Sequence, residues 1–119
     1  MTIYINTERL IKEFAGDEEI LAEMSDAFLV EIPQKLAKIG AAVAAKDAKN
    51  IEFSSHTLKG AVANFQAPLI KEICDTLEKQ GRGNELADCD AHFISLTSMM
   101  DNFTVELIAL IAKLKNGAS

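Results

Sequence analysis

Apolar residues recur every three to four positions along most of the chain and rarely alternate, a spacing that gathers them on one face of a helix and argues against strands. A short first helix is predicted from Thr7, a good N-cap, through Leu10, Ile11 and Phe14 to Gly16. Asp17 then caps a much longer second helix. Glu18 and Glu19 fall in its first turn, and Ile20, Met24, Phe28, Ile32, Leu36, Ile39 and Val43 repeat at four- or three-residue steps. Pro33 lies inside that repeat, lacks an N–H and crowds the carbonyl of Leu29, so a bend or a break into two helices is expected there. Asp47 opens a third helix that ends near Phe65, and Pro68 fits the first turn of a fourth, which runs through Ile70, Ile73, Cys74 and Leu77 to Gly81. Gly81-Arg82-Gly83-Asn84 reads as a turn, beyond which Leu86, Phe93, Leu96, Met100, Phe103, Leu107, Leu110 and Leu114 trace a long final helix. The pattern predicts an all-α fold: an antiparallel four-helix bundle with one short additional N-terminal helix. No repeat or low-complexity tract interrupts it, so residues 1–119 read as a single domain.

With 119 residues, 49% of them hydrophobic, the chain can bury a core of its own. Charge narrows the choice of partners. Twelve Lys and Arg stand against 18 Asp and Glu, a net charge of -6, which disfavours nucleic acid and anionic membranes, and no stripe of aromatic and basic residues offsets it. Cys74 and Cys89 are too few for a disulfide framework, and the N-terminus lacks the basic start and apolar run of a signal peptide. Uninterrupted apolar runs are far shorter than the roughly 20 residues that span a bilayer. A cytoplasmic protein without a membrane segment is expected.

The third helix carries the candidate chemistry. At about 100° per residue, Ile51, Leu58, Ala61, Val62 and Phe65 fall on one side, and His56, Lys59, Gly60 and Ala63 on the other. The imidazole of His56 therefore faces water. Gly60 costs about 1 kcal/mol relative to alanine inside a helix, and one turn beyond His56 it leaves space for a group attached to the ring or for a partner's surface. Lys59 adds a mobile cation on the same face, able to reach an anion near the ring. Taken singly, a surface His, a surface Lys and a helical Gly are ordinary; together on one face they make a plausible phosphoryl-accepting site. Phe53 lies towards the His56 side, where packing against a neighbouring helix suits it more than the edge of a docking patch. Two other readings compete. Cys89 and His92, at i and i+3, could with Cys74 and His56 make a metal or redox bundle, or the bundle could be an interaction module that transfers nothing.

The stretch His56-Thr57-Leu58-Lys59-Gly60-Ala61-Val62-Ala63-Asn64-Phe65 resembles the H-x-L-K-G signature of histidine-containing phosphotransfer (HPt) domains of two-component phosphorelays. Phe14-Ala15-Gly16-Asp17 resembles that family's F-x-G-D, Phe28-Leu29-Val30-Glu31-Ile32-Pro33 its F-L-x-x-x-P, and Gln80-Gly81 to Leu86 the turn before its last helix. Gln66 departs from it, standing where the family commonly has Gly. The resemblance implies that His56 receives a phosphoryl group from an aspartyl phosphate or a kinase and passes it to a receiver aspartate. Lys59 would steady the phosphoryl charge and Gly60 would give clearance. Glu78 stands where members related to the chemotaxis kinase's phosphotransfer domain place a Glu or Gln against the imidazole, so it would accept a hydrogen bond from Nδ1–H and leave Nε2 as nucleophile. The sequence holds no Gly-rich phosphate loop or nucleotide motif, so ATP is not expected to be its substrate. The resemblance implies a phosphocarrier with no cofactor of its own, Mg²⁺ being supplied by the partner. The partner would be a response-regulator receiver domain, a sensor histidine kinase or both, with no nucleic acid and no direct membrane insertion.

Overall fold

Among residues 2–116, which the computed structural model describes, five α-helices form and no strand does: α1 (Thr7–Glu13), α2 (Glu18–Ala44), α3 (Ala48–Ala63), α4 (Pro68–Arg82) and α5 (Cys89–Lys115). Helices α2 to α5 pack as a ring of neighbours, α2 on α3, α3 on α4, α4 on α5 and α5 back on α2, in a body 50 Å long and 21 Å across. This is the expected four-helix bundle with a short extra helix.

Local chemistry sets most of the boundaries. Asp47 caps α3, its Oδ1 accepting the Asn50 N–H at 3.2 Å, and Pro68 opens α4. At α1 the cap falls one residue earlier than expected. Asn6 Oδ1 accepts the Arg9 N–H at 3.1 Å, while the Thr7 hydroxyl turns to Thr2 instead. Asp17 sits at the α2 N-cap without a side-chain bond to the helix. Helix α2 runs unbroken through Pro33, whose exposed position leaves the freed Leu29 carbonyl on the side where water can reach it. Helix α4 continues one residue past Gly81, so only Gly83 and Asn84 of the expected turn lie outside it, and α5 begins at Cys89.

The core is where the repeat placed it. Phe28 of α2, Phe65 beyond α3 and Phe103 of α5 meet at its centre, Phe28 stacking on Phe65 with centroids 5.0 Å apart and both standing edge-on to Phe103. Leu21, Ile39, Ile51, Leu58, Ile70, Leu77, Leu96 and Leu107 fill the rest, each fully buried. Ile20, the first residue of the α2 repeat, is instead half exposed at 50%. By length and composition α5 could cross a membrane, but its Leu96, Met100, Phe103, Leu107, Leu110 and Ile111 are buried in the bundle. Glu106 fastens the N-terminal segment to α5: its carboxylate accepts the backbone N–H groups of Ile3, Tyr4 and Ile5.

Candidate functional site

Helices α3 and α4 make the most extensive pairing in the bundle, and a glycine permits close approach at one end of it. A Cβ on Gly81 would stand 2.6 Å from both the Ala48 carbonyl oxygen and the Glu52 nitrogen. With no side chain there, the last turns of α4 lie directly against the first turns of α3, which brings Asp75, Glu78 and Arg82 alongside Glu52, His56 and Lys59.

Glu78 is the hub of this contact. Its side chain is 6% exposed, yet it carries three cationic or proton-bearing neighbours: His56 Nδ1 at 3.2 Å and Lys59 Nζ at 2.6 Å, both on Oε1, and Arg82 Nη2 at 2.6 Å on Oε2. Burial pushes the Glu78 carboxyl up, but hydrogen bonds from Lys59 and His56 and their charge outweigh it, so the group lies below the usual carboxylate range. His56 stands out from this buried base with 65% of its side chain exposed, as its place on the helix predicts. With Glu78 accepting the Nδ1–H, the neutral ring keeps a lone pair on Nε2, away from the carboxylate.

Lys59 differs from expectation. It is a fixed ion-pair partner, bound to Glu78 and, at 3.1 Å, to Asp75, with only 21% of its side chain exposed. These two hydrogen bonds raise its pKa. Asp75 also pairs with Lys79 at 3.0 Å and lies below its ordinary value, the Lys79 hydrogen bond being the chief cause and that from Lys59 the next.

Gly60 faces open space: no atom outside its own helical turn lies within 4 Å of where its Cβ would be. The fold itself therefore has no need of a glycine there. Gly60→Ala is expected to stabilise the protein by about 0.5–1 kcal/mol, through the helix propensity of alanine. If the gap serves a partner or a phosphoryl group, the same variant transfers more slowly. A rise in the urea midpoint together with a fall in transfer rate checks both halves.

Phe53 corrects the sequence reading. It does not pack on a neighbouring helix but stands 70% exposed one turn before His56. The end of α2 beside it offers mainly the small side chains Ala41, Ala42 and Ala45, which leave a groove instead of a wall. On its other side lies a depression of about 370 Å³ lined by Lys49, Glu52, Phe53, His56, Glu78 and Arg82.

Arg82 escaped the sequence reading because Gly81-Arg82-Gly83-Asn84 looked like a turn, although Glu78 and Arg82 have the i, i+4 spacing of an ion pair. The four proposed metal ligands do not converge, although Cys89 and His92 share a neighbour. Cys89 Sγ and His92 Nδ1 both meet Gln80 Oε1, at 3.5 and 3.0 Å, Cys74 is fully buried with its thiol pushed up to about 12 by desolvation, and His56 belongs to Glu78. Among the described residues no group of three or more His, Cys, Asp or Glu side chains is placed to hold a metal ion. Gln66 has φ +53°, a left-handed conformation that glycine adopts without a steric penalty. Its backbone oxygen accepts the Asn6 N–H at 2.8 Å and its side chain donates to Glu13 at 2.6 Å.

The family model for the Hpt domain matches residues 23–116, a span that includes all four candidate site residues. The chain belongs to the Hpt family. Among solved structures, the crystal structure of histidine-containing phosphotransfer protein B (HptB) from Pseudomonas aeruginosa PAO1 is similar in fold, with a TM-score of 0.81 over 98% of each chain at 22% sequence identity. Curated protein sequences return no match. This Hpt domain is thus a histidine phosphotransfer carrier of phosphorelays, and Hpt domains interact with receiver domains and histidine kinases and need no cofactor of their own.

Proposed function

We propose that His56 is the residue of this Hpt domain that carries the phosphoryl group, and that Nε2 is the atom that accepts it. The observation that carries this reading is an exposed imidazole whose Nδ1 lies 3.2 Å from a buried carboxylate. The Nε2 lone pair attacks the phosphorus of an aspartyl phosphate on the partner. The P–N bond forms as the acyl P–O bond breaks, and the partner's aspartate leaves as a carboxylate. Nδ1 keeps its proton, so the phosphorylated ring carries positive charge directly opposite Glu78. Reversal of the same steps delivers the group to a second receiver.

The other roles follow from the same arrangement. Glu78 fixes the tautomer, Lys59 holds Glu78 ionised and places positive charge near the incoming phosphoryl group, and Gly60 leaves room for it. Mg²⁺ and the acidic acceptor pocket belong to the receiver. The docking face centres on His56, with exposed Phe53 and the half-buried Ala63 as its apolar part and the charged ends of α3 and α4 as its rim. Residues 1–119 act as one such unit, as a carrier in the cytoplasm and not as a free-standing enzyme.

The test is to incubate the protein with a phosphorylated receiver domain, digest it at neutral pH and locate the acid-labile phosphate by mass spectrometry. It is expected on the peptide that contains His56. Phosphate on the peptide that contains His92 would overturn the assignment.

A further inference from the structure

We propose that Arg82 is a positioning residue for phosphoryl transfer: it holds the second oxygen of Glu78 and thereby keeps the first on His56 Nδ1. The inference rests on reading His56 as the acceptor. The two oxygens of Glu78 are unequally served. Oε1 receives two groups, Lys59 Nζ at 2.6 Å and His56 Nδ1 at 3.2 Å, whereas Oε2 has one, Arg82 Nη2 at 2.6 Å. The contact to the imidazole is the longest of the three and the first to yield if the carboxylate turns. Without Arg82, Lys59 is the one cation left on Glu78, and a carboxylate free to rotate would give it the second oxygen at the expense of Nδ1.

Arg82 is itself anchored. Its Nε donates to Glu52 Oε2 at 2.9 Å, and Glu52 lies one turn before His56 on α3. One guanidinium therefore holds Glu78 within α4 through one nitrogen and ties α4 to α3 through another, on the same edge of the site that carries the imidazole. Its planar fork sets the two bonds at fixed directions from separate nitrogens, which the single rotatable ammonium of a lysine does not. Arg82 also lines the depression that contains His56, so the clamp stands beside the transferred group without being paired to the ring. Lys79 provides the contrast: it too lies on α4, but its ammonium pairs with Asp75 and not with the Glu78 carboxylate.

The test uses the full chain labelled with ¹⁵N at histidine. Ring ¹⁵N–¹H correlations report which nitrogen of His56 carries the proton in the neutral imidazole. The wild type is expected to be mainly the Nδ1–H form. In Arg82→Ala the Nε2–H form should rise to a comparable population, and transfer from a phosphorylated receiver should slow about tenfold, the lower end of the loss seen when a partner that orients a metal-ligating histidine is removed. Arg82→Lys should recover part of both. Lys79→Ala, which removes the same charge from the same helix, should leave the tautomers unchanged. Because the Arg82 side chain is 57% exposed at the end of α4, its removal should leave the circular dichroism unaltered. Unchanged tautomers in Arg82→Ala would overturn the proposal; slow transfer alongside them would assign Arg82 to docking charge. Failure of the acceptor reading shows separately, as phosphate away from His56 in the wild type.

Discussion

Gly81→Ala should lower stability by about 2 kcal/mol and impair transfer at the same time, although alanine is the better helix former. Helix propensity alone favours the substitution by roughly 1 kcal/mol. Against it stands a Cβ 2.6 Å from the Ala48 oxygen, 2.6 Å from the Glu52 nitrogen and 3.0 Å from the Glu52 Cα, all backbone atoms that no rotamer change can move aside. The helices must part, and overpacking of this kind costs roughly 1–3 kcal/mol, more when the obstruction is main chain. The melting temperature should fall by roughly 5–10 °C in a chain of this size. Parting α3 from α4 also draws Glu78 and Arg82 away from His56 and Glu52, so transfer should slow even at temperatures where the variant is fully folded. Calorimetry and a transfer assay on the same preparation check the pair. A variant as stable as the wild type would mean that the helices are not held at this spacing. Gly60→Ala has the opposite sign of stability effect in the same bundle, because the space around Gly60 is empty and that around Gly81 is occupied by backbone.

That contrast marks what could be read from the chain before its fold was known. Periodicity located the helices and most of the buried residues, though not Leu21, Ala42 or Ile111, and the opposition of His56 to Ile51, Leu58 and Val62 on α3 placed the imidazole in solvent, because all of these depend on angles within one helix. What lies between helices was less legible. The sequence marks Gly81 as a helix end, and only the approach of α3 shows it to be a contact point. Phe53 was expected to pack because its neighbour's surface was unknown, and that surface proved to be alanines with a groove between them. Lys59 read as a mobile cation because Asp75 and Glu78 belong to a different helix. Arg82 was the nearest miss, since its pairing with Glu78 lies within α4 and its spacing was visible.

Glu78→Gln should slow phosphoryl transfer about a hundredfold at neutral pH while leaving the helices intact. The amide has nearly the carboxylate's shape, but three donors converge on this side chain, and one of its two ends becomes a donor itself. Either the NH₂ faces Arg82, or it faces Lys59 and His56 and the orienting bond to Nδ1 is lost. In both cases the phosphorylated ring loses the negative charge opposite it. Stability should fall by about 1–3 kcal/mol near neutral pH, the usual cost of leaving buried polar partners unmatched. The pH dependence follows from the depressed carboxyl in the folded chain. Such a group contributes stability above its value in the unfolded chain, and the contribution is lost as pH falls through the lower folded value. Glutamine has no proton to gain there, whereas Asp75, lowered by Lys79 and Lys59, remains in both proteins and largely cancels from the comparison. The gap in urea midpoint between wild type and Glu78→Gln should therefore be widest near neutral pH and close as the pH drops below the ordinary carboxylate range. A gap that stayed constant across that range would show that Glu78 acts through its shape and not its charge, and the ion-pair account of the site would fail with it.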